Sequence, residues 1–598
     1  MRGRAPVDSR GVRGALAIAA LVAACDGPWV RLPGAQPGQQ PGATRASSEP
    51  VGSGRAAGGD TVVLSVVATN DVHGRIERVA VLAGHVENLR RVRAADAGAV
   101  LLVDAGDAWQ GTLESNLSEG AAMVRAYAEA GYHAMAIGNH EFDYGPVGPR
   151  ATPSGPGDDP RGALLERARE APFALLAANL VERASGRPVQ WPGVRERVLL
   201  EMAGIRVGLT GVTTEETPST TIAANVADLA VRPLAEAVRE QASALRREGA
   251  HVVVVLAHAG GACRRSDAPD DLSSCRTDSE IFRLARALPQ GLVDVIAAGH
   301  THDVVAHRVH GVAIVESWAN GRGFGRVDLV LDRATRRVLR ADIHPPRELC
   351  RSRSESLADC RPEPYEGAPV RPSERVLRAI APYLEAARAV RDRSLGVRLP
   401  RPVRRDYDEE SPLGNLVVDL MLRARPGADV ALYNGGGLRD SLPAGELTYG
   451  SLYEALPFDN RFATVLMTGR ELERVFERNL RGGRGILSVA GVRVVARCEG
   501  TDLDVELLRP DGQPVRDDEP LRVLTSDFVA TGGDDVFEDV RRRPGAVVIE
   551  DEPPIREEIA RLLEARGGEI RADDPALFDR QRPRIVLPGR RPVRCPTP

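Results

Sequence analysis

The stretch AIGNHEFDYG (residues 136–145) is where an apolar run gives way directly to a cluster of chemically active side chains. The apolar residues stop at Gly138, and Asn139, His140 and Asp143 follow at once. Loops that directly follow rigid elements are common places for catalytic and binding residues. A turn that only ends a strand has the same appearance, so the choice between a structural and a catalytic interpretation depends on the rest of the chain.

Four further segments repeat this arrangement, with metal-binding side chains directly after an apolar run. They are VVATNDVHG with Asp71 and His73, VLLVDAGDAWQGT with Asp104 and Asp107, VVVLAHAGG with His258, and IAAGHTHD with His300 and His302. One such ending alone is more often structural than a ligand site, because short motifs recur by chance. Since the carboxyl ends of strands in α/β sheets collect ligands, five endings together predict one shared site.

The residue types in these segments favour two divalent metal ions, which we expect to be zinc, manganese, cobalt or iron. The i, i+2 spacing of Asp71 with His73, and of His300 with His302, places each pair on one side of an extended chain. Two ions ~3.5–4 Å apart can activate a water and stabilise both oxygens of an in-line phosphoryl displacement. The predicted reaction is therefore phosphoester hydrolysis.

The order of apolar runs predicts two α/β domains. Short apolar runs alternate with helix-like segments from residue 61 to 345, as expected for a layered domain with buried sheets. Residues 346–395 are predicted to be a Cys-bearing linker and a connector, where SERVLRAIAPYLEAARAVRDRSLG predicts a helix with one proline kink. A second domain is predicted at residues 396–590, with strands at ADVALYN, FATVLM, VRVVARC and LRVLTSDFV.

The first residues resemble a bacterial lipoprotein signal peptide. Arginines precede ALAIAALVAA, which is too short to span a bilayer as a mature helix, and Cys25 follows it. We therefore predict a signal peptide at residues 1–25, lipid attachment at Cys25 and a flexible tether at residues 26–60. The expected location is the bacterial cell envelope, in the periplasm or at the cell surface, with the lipid as the membrane anchor. An ordinary cleavage site beside an unmodified cysteine is the alternative.

Composition bears on the partners and on the state of the cysteines. A formal net charge of −4 argues against a binder of nucleic-acid polymers, and the chain has no lysine, so its many arginines are read as coding bias. Export favours disulfides, and Cys263–Cys275 and Cys350–Cys360 would each close a short loop. Free buried thiols are the alternative. The sequence leaves the oligomeric state open.

The ordered motifs NDVHG, DAGDAWQGT, GNHEFDYG, LAHAGG and AGHTHD resemble those of the calcineurin-like metallophosphoesterases. Together with the second domain, they resemble the 5′-nucleotidase family, which includes bacterial nucleotidase/UDP-sugar hydrolases. The resemblance runs from about residue 60 to 585. It implies an N-terminal αββα metallophosphoesterase sandwich, a connector helix and a C-terminal α/β domain that binds the nucleotide.

The resemblance also implies a role for each motif residue. One metal is held by Asp71, His73, Asp107 and His302, and the other by Asp107, Asn139, His258 and His300, so that Asp107 bridges the two ions. His140 contacts the phosphate and Asp143 orients His140. In the second domain the implied substrate-binding residues are Asn434, Gly436, Arg439, Phe458, Phe528 and Asp534. The two phenylalanines, both expected in loops, would stack on the base, and Asp534 would bind the ribose hydroxyls.

The sequence departs from the family at Glu409, where the nucleotidases usually carry an arginine that contacts the substrate. Either Arg404 or Arg405 replaces that arginine, or the preferred substrate differs. The function expected is that of an exported two-metal phosphohydrolase acting on nucleoside 5′-monophosphates, with nucleotide-sugars as a further substrate class. A 2′,3′-cyclic nucleotide phosphodiesterase, a thiosulfohydrolase-like relative and a non-catalytic surface nucleotide-binding protein are the alternatives. Relatives rotate the second domain, so we predict a hinge at residues 373–395.

Overall fold

The structure is a computed structural model that describes residues 60–351 and 359–596. The predicted signal peptide, the lipid-attachment residue Cys25 and the tether up to residue 59 lie outside the described residues. Within the described ranges, no helix has the length and apolarity needed to cross a membrane.

Two packed sheets form the first half of the described chain. Its strands are β1 (Thr61–Thr69), β2 (Ala99–Asp104), β3 (Ala134–Ala136), β4 (Ala174–Leu176), β5 (Leu180–Glu182), β6 (Val194–Arg195), β7 (Arg197–Met202), β8 (Ile205–Thr213), β9 (Leu229–Val231), β10 (Val252–His258), β11 (Val295–Ala298), β12 (Val304–Val309), β13 (Val312–Ser317), β14 (Gly323–Asp332) and β15 (Val338–Glu348). The strand order is β15-β14-β1-β2-β3-β4-β6 in one sheet and β12-β13-β11-β10-β8-β7 in the other.

Helices cover the outer faces of both sheets. They are α1 (Ile76–Ala95), α3 (Ala121–Ala130), α4 (Gly162–Glu170), α7 (Leu234–Arg247) and α8 (Glu280–Ala287), while the one-turn helices α2 (Leu113–Asn116), α5 (Thr217–Thr220) and α6 (Ala223–Val226) lie in the connecting segments. Leu101 and Val254 point into the core between the sheets, whereas their neighbours Leu102 and Val255 point outward to the helices. Both faces are thus buried, which explains why the strands read as unbroken apolar runs. Burying each such side chain contributes about 1.5–3 kcal/mol, and the predicted layered α/β architecture is confirmed.

One long helix, α9 (Glu374–Arg391), joins the two halves. It is continuous through Pro382, and it packs against α1 and α3 on one side of the junction and against a helix of the second half on the other. The next strand begins at Ser394, only three residues after α9 ends.

The second half is built around a five-stranded mixed sheet. The strands here are β16 (Ser394–Leu399), β17 (Val430–Asn434), β18 (Gly445–Thr448), β19 (Arg461–Thr468), β20 (Leu487–Ala490), β21 (Arg493–Glu499), β22 (Asp502–Leu508), β23 (Pro520–Ser526), β24 (Val547–Pro554), β25 (Gly568–Glu569) and β26 (Ile585–Val586). The helices are α10 (Pro412–Ala424), α11 (Tyr449–Ala455), α12 (Gly469–Arg481), α13 (Asp527–Thr531), α14 (Glu538–Arg541) and α15 (Ile555–Arg566). The central sheet has the order β20-β17-β23-β19-β24.

The structure corrects one local prediction in this half. LRVLTSDFV is not one continuous strand, because β23 ends at Ser526 and α13 begins directly after it. The Ser526 hydroxyl accepts a hydrogen bond from the backbone N–H of Val529, which is the usual role of a serine that caps a helix. Phe528 therefore lies on a short helix and not in a loop.

Three disulfides are present among the described residues. Cys263–Cys275 and Cys350–Cys360 confirm the two favoured pairings. Cys498–Cys595 is the third, and it joins residues 97 positions apart, so no short-loop argument could have predicted it.

Candidate active site

Five strand ends from the two sheets meet in one place. Strands β1, β2 and β3 run parallel in the first sheet, and β10 and β11 run parallel in the second. The polar residues that follow them form two clusters of potential ligand atoms, each within 4.8 Å. The first cluster is Asp71, His73 and His302, and the second is Asp107, His258 and His300. The sequence prediction that these endings converge is therefore correct.

In the first cluster, several atoms that can bind a metal ion lie close together. His73 Nε2 lies 3.0 Å from His302 Nε2, and His302 Nε2 lies 3.3 Å from Asp71 Oδ1. His73 Nδ1 donates to the carbonyl oxygen of Gln110 at 2.9 Å, which leaves Nε2 as an acceptor. Asp71 Oδ1 is buried and has no hydrogen-bond partner among the described residues. Such an orphaned carboxylate oxygen beside imidazole nitrogens fits a divalent cation.

The second cluster shows the same design. His258 Nε2 lies 3.0 Å from Asp107 Oδ2 and 3.0 Å from Asn139 Oδ1. His258 Nδ1 donates to the carbonyl oxygen of Ala105 at 3.0 Å, and Asn139 Nδ2 donates to the carbonyl oxygen of Thr220 at 3.0 Å. Because His258 Nδ1 and the amide nitrogen of Asn139 are engaged with the backbone, the neutral imidazole would face Asp107 with Nε2 as an acceptor, beside the amide oxygen of Asn139.

The backbone at these residues is held in a conformation that side chains with a Cβ rarely adopt. Positive φ angles occur at Asp71 (49°), His73 (50°), Asp107 (55°), His300 (79°) and His302 (57°). Each left-handed residue costs roughly 1–2 kcal/mol. Strain of this kind persists where the surrounding structure enforces it, and it concentrates at functional sites.

The electrostatics of the two clusters favour bound positive charge. Burial opposes ionisation of Asp71 and Asp107, but the surrounding imidazoles hold the pKa of both carboxyls below the usual range. Burial would lower the pKa of His258, yet Asp107 raises it to about 10. Burial, helped by His258, lowers the pKa of His300 to about 3. Without a bound ion the two carboxylates are thus balanced by protonated imidazoles such as that of His258, and a divalent cation would take the place of those protons.

His140 and Asp143 form a hydrogen-bonded pair beside the second cluster. His140 Nδ1 lies 2.5 Å from Asp143 Oδ2, and the other carboxylate oxygen accepts the hydroxyl of Thr221 at 2.8 Å. His140 Nε2 points toward Asp107 Oδ2 at 3.9 Å. Burial acts to lower the pKa of His140, but Asp107 and Asp143 raise it. The imidazole is therefore fixed in orientation and favours the charged form.

Glu141, which the sequence left without a catalytic task, shapes the loop that carries Asp107. Its fully buried carboxylate accepts four backbone N–H bonds, from Gly138 at 2.7 Å, Ala108 at 2.8 Å, Asp107 at 2.9 Å and Trp109 at 3.2 Å. A carboxylate bonded to several N–H groups fixes the backbone on either side of it. Glu141 thereby joins the loop after β2 to the loop after β3.

A cavity of about 970 Å³ connects this region to the second half of the chain. The predicted residues that line it are Asp107, Asn139, His140, Asp143, His300, His302, Asn434, Gly436, Arg439, Phe458, Phe528 and Asp534. The remaining predicted ligands, Asp71, His73 and His258, are buried beside them. Every described residue that the sequence assigned to the site thus lies at or next to one cavity.

The second half approaches the first cluster closely. Arg439 Nη2 donates to His73 Nε2 at 3.0 Å, and the Phe458 ring lies 5.5 Å from the His140 ring. Asn434 Nδ2 donates to Asp534 Oδ2 at 2.7 Å, and Asp534 has a positive φ of 53°. The structure therefore places a guanidinium and an aromatic ring beside the metal-binding end, and the Asn434–Asp534 pair on the wall of the same cavity.

The sequence missed several residues that line the cavity and left one, Arg405, undecided. Glu409 and Arg404 are both exposed and do not line the cavity, whereas Arg405 does. Arg405 donates to the carbonyl oxygen of Leu438, so of the two arginines it is the one placed to meet a substrate. Tyr407 and Arg484 also line the cavity. Their neighbours in sequence form no recognisable motif, so only the folded chain reveals them.

Comparison with known families agrees with this geometry. The calcineurin-like phosphoesterase model matches residues 64–304, and the 5′-nucleotidase C-terminal domain model matches residues 391–540. The chain belongs to the 5′-nucleotidase family. As a member it is a metal-dependent phosphoester hydrolase, and the matched ranges contain all the metal-binding clusters and all the predicted substrate residues.

Individual relatives of this 5′-nucleotidase family member extend the match over most of the chain. Protein UshA of Yersinia enterocolitica is 25% identical over 511 residues, which cover 79% of this chain and 86% of UshA. The structure of a 5′-nucleotidase precursor from Thermus thermophilus is similar with a TM-score of 0.65 and 25% identity, covering 86% of this chain and 100% of that one. The sulfate thiohydrolase SoxB of Thermus thermophilus shares the fold at a TM-score of 0.65 and 17% identity, covering 89% of this chain and 98% of SoxB.

Proposed function

We propose that the protein is an exported two-metal phosphohydrolase that removes phosphate from nucleoside 5′-monophosphates, with nucleotide-sugars as a further substrate class. One observation carries the proposal. A single cavity joins two buried clusters of metal-binding side chains to a wall that offers two phenylalanine rings and the Asn434–Asp534 pair. The dimensions and the chemistry of this cavity fit a phosphate at one end and a nucleoside at the other.

The donor sets at the first end fit two divalent ions. Asp71, His73, Asp107 and His302 would hold one ion, and Asp107, Asn139, His258 and His300 the other, with Asp107 shared. The orphaned Asp71 Oδ1 and the imidazole Nε2 atoms freed by backbone acceptors support this assignment. When bound, such ions supply Lewis-acid stabilisation of the phosphate and lower the pKa of water.

The residues of the chain itself position the phosphate. His140, held by Asp143, presents Nε2 toward Asp107 and can donate a hydrogen bond to a phosphate oxygen as negative charge develops there. Arg439 reaches the same region from the second half of the chain and, with its planar fork, suits a phosphate. Arg405 lines the cavity nearby and takes the place of the arginine that Glu409 does not supply.

The nucleoside would lie against the second half of the chain. Phe458 and Phe528 both line the cavity, and in each the ring is partly exposed to it. Stacking a base on an aromatic ring contributes about 1–3 kcal/mol. Asp534, oriented by Asn434, offers carboxylate oxygens to the ribose hydroxyls. This end of the cavity is what favours a nucleotidase over a thiosulfohydrolase, whose substrate has no base to stack.

The proposal places the enzyme outside the cytosol. The three disulfides among the described residues support an oxidising compartment. Lipid attachment at Cys25, and a hinge about α9 that moves the second half of the chain, belong to the same proposal. Labelling of the expressed protein with a fatty-acid analogue, lost on Cys25→Ser, tests the anchor.

A substrate panel tests the activity. Protein from residue 26 onward should release phosphate from AMP, lose that activity with EDTA and regain it with zinc, manganese or cobalt. UDP-glucose tests the further substrate class. The panel is completed by 2′,3′-cyclic AMP and a protein-bound thiosulfonate, because each is the preferred substrate of one competing function. Preference for the cyclic nucleotide or the thiosulfonate would contradict the proposal. Nucleotide binding without any turnover would indicate a non-catalytic binding protein.

A further inference from the structure

A segment near the end of the described chain, residues 584–595, crosses behind the nucleoside end of the cavity, and we call it the strap. It lies beyond residues 391–540, the range matched by the C-terminal domain model. Strand β26, at the start of the strap, pairs with β21, and Cys595 is bonded to Cys498 at the end of the same strand β21. The strap is thus fixed at both ends to one strand.

Between these anchor points, Arg591 reaches two cavity loops. Its Nη2 donates to the carbonyl oxygen of Arg484 at 2.6 Å and to that of Asn479 at 2.7 Å, and its Nη1 donates to the carbonyl oxygen of Asp408 at 3.3 Å. Arg484 belongs to one cavity loop and Asp408 to the other, which also carries Arg405. One guanidinium therefore fixes both loops with bonds that only its planar fork can make together.

The same two loops contact each other and the glycine-rich turn after β17. Ile486 N donates to the carbonyl oxygen of Tyr407 at 2.8 Å, and Gly435 N donates to the carbonyl oxygen of Ile486 at 2.8 Å. On the strap side, Val593 N donates to the carbonyl oxygen of Leu480 at 2.9 Å, and the Val593 side chain is buried. A shift of the strap would therefore be transmitted to the loop at residues 482–486.

The Arg484 side chain in turn contacts the carboxylate that is proposed to bind the ribose. Its Nη1 lies 3.4 Å from Asp534 Oδ1, and its Nη2 lies 3.1 Å from Asp535 Oδ2. Nη2 also donates to Ser219 Oγ at 3.1 Å, on α5 in the first half of the chain. The orientation of Asp534 thus depends on a side chain whose backbone is held by Arg591.

We propose that Arg591 is a positioning residue for nucleoside recognition, acting through Arg484 on Asp534 and through Asp408 on the loop of Arg405. The inference rests on the proposed function, since it concerns the end of the same cavity that is proposed to bind the nucleoside. Arg591 does not line the cavity itself. Replacing Arg591 therefore weakens the binding of the nucleoside and leaves the metal-binding end unchanged.

The test compares Arg591→Ala with Arg590→Ala, the adjacent arginine, which is exposed. Steady-state hydrolysis of AMP gives kcat and KM, and inhibition gives Ki for adenosine and for inorganic phosphate. Because small misplacements of binding groups have large effects, Arg591→Ala should raise both the KM for AMP and the Ki for adenosine about tenfold. The kcat and the Ki for phosphate should stay within about twofold of the wild type, and Arg590→Ala should match the wild type throughout.

Two results would contradict the role that we propose for the strap. An unchanged KM, or a parallel loss of kcat and of phosphate affinity, would overturn it. If Arg591→Ala does not fold, the double variant Cys498→Ser, Cys595→Ser frees the strap at one end and must raise the same two constants. Wild-type protein that hydrolyses no nucleotide would overturn the proposed function as well, so the two failures are distinguishable.

Discussion

The two ends of the cavity are built in different ways. At the metal end, every proposed ligand lies within a few residues of a strand end, is largely buried, and is fixed by backbone carbonyls or by a strained backbone. At the nucleoside end, the lining residues come from loops, the end of β17 and the short helix α13, and they are held by side-chain bonds from distant segments. We therefore assign catalysis to the metal end, which is rigid. Recognition of the substrate is assigned to the nucleoside end, which changes in sequence can alter most easily.

The largest expected effect comes from removing the phosphate-facing imidazole. His140→Ala should lower kcat for AMP by about 10²–10⁴-fold, because a positioned charged donor in a dry site contributes that much. Metal content, measured by plasma mass spectrometry, should stay unchanged, since His140 is not a proposed ligand. His310→Ala, at an exposed histidine, is the matched control. Loss of metal together with activity would show that His140 belongs to the metal site.

The next largest effect is expected from replacing Glu141, which fixes the loop that carries Asp107. Glu141→Ala leaves four backbone N–H groups without their acceptor, so metal affinity should fall by about 10–100-fold, as for other groups that orient ligands. The free energy of unfolding should drop by about 3 kcal/mol in urea titrations. Glu141→Gln keeps one acceptor oxygen and should lose less. Equal metal affinity in wild type and Glu141→Ala would contradict the supporting role.

A smaller effect is expected at the nucleoside end. Phe528→Ala should raise the KM for AMP by about tenfold with little change in kcat, because one stacking surface is lost. Phe578→Ala removes a similarly half-buried ring that packs against the core of the second half instead of the cavity. A kcat loss in Phe528→Ala comparable to that of His140→Ala would contradict the assignment of binding to the nucleoside end and of catalysis to the metal end.

The smallest effect on turnover is expected from the Cys263–Cys275 disulfide, in the loop that follows His258. Cys263→Ser with Cys275→Ser opens a loop whose ends are 12 residues apart. The free energy of unfolding should fall by about 2–3 kcal/mol, while kcat and KM stay within about twofold. Calorimetry and steady-state kinetics on the same samples measure both. A large kinetic change would show that this loop takes part in substrate binding.

The same contrast explains what could be predicted from the sequence. The ligands of the metal end follow apolar runs directly, and parallel strands bring their carboxyl ends together, so Asp71, His140 and His258 could be grouped without a structure. Phe528 could be identified only by resemblance, and its helix was missed because the apolar run in LRVLTSDFV hid the capping role of Ser526. The bond from Arg591 to Arg484 joins residues 107 positions apart, and no local pattern marks such a contact.

The most direct test of the account is an anomalous-diffraction map of crystals grown with manganese and a non-hydrolysable AMP analogue. We expect two manganese peaks, one among Asp71, His73 and His302 and one among Asn139, His258 and His300, with Asp107 between them. We also expect the base between Phe458 and Phe528 and the phosphate beside His140. A single peak, or a base bound away from the two rings, would contradict it.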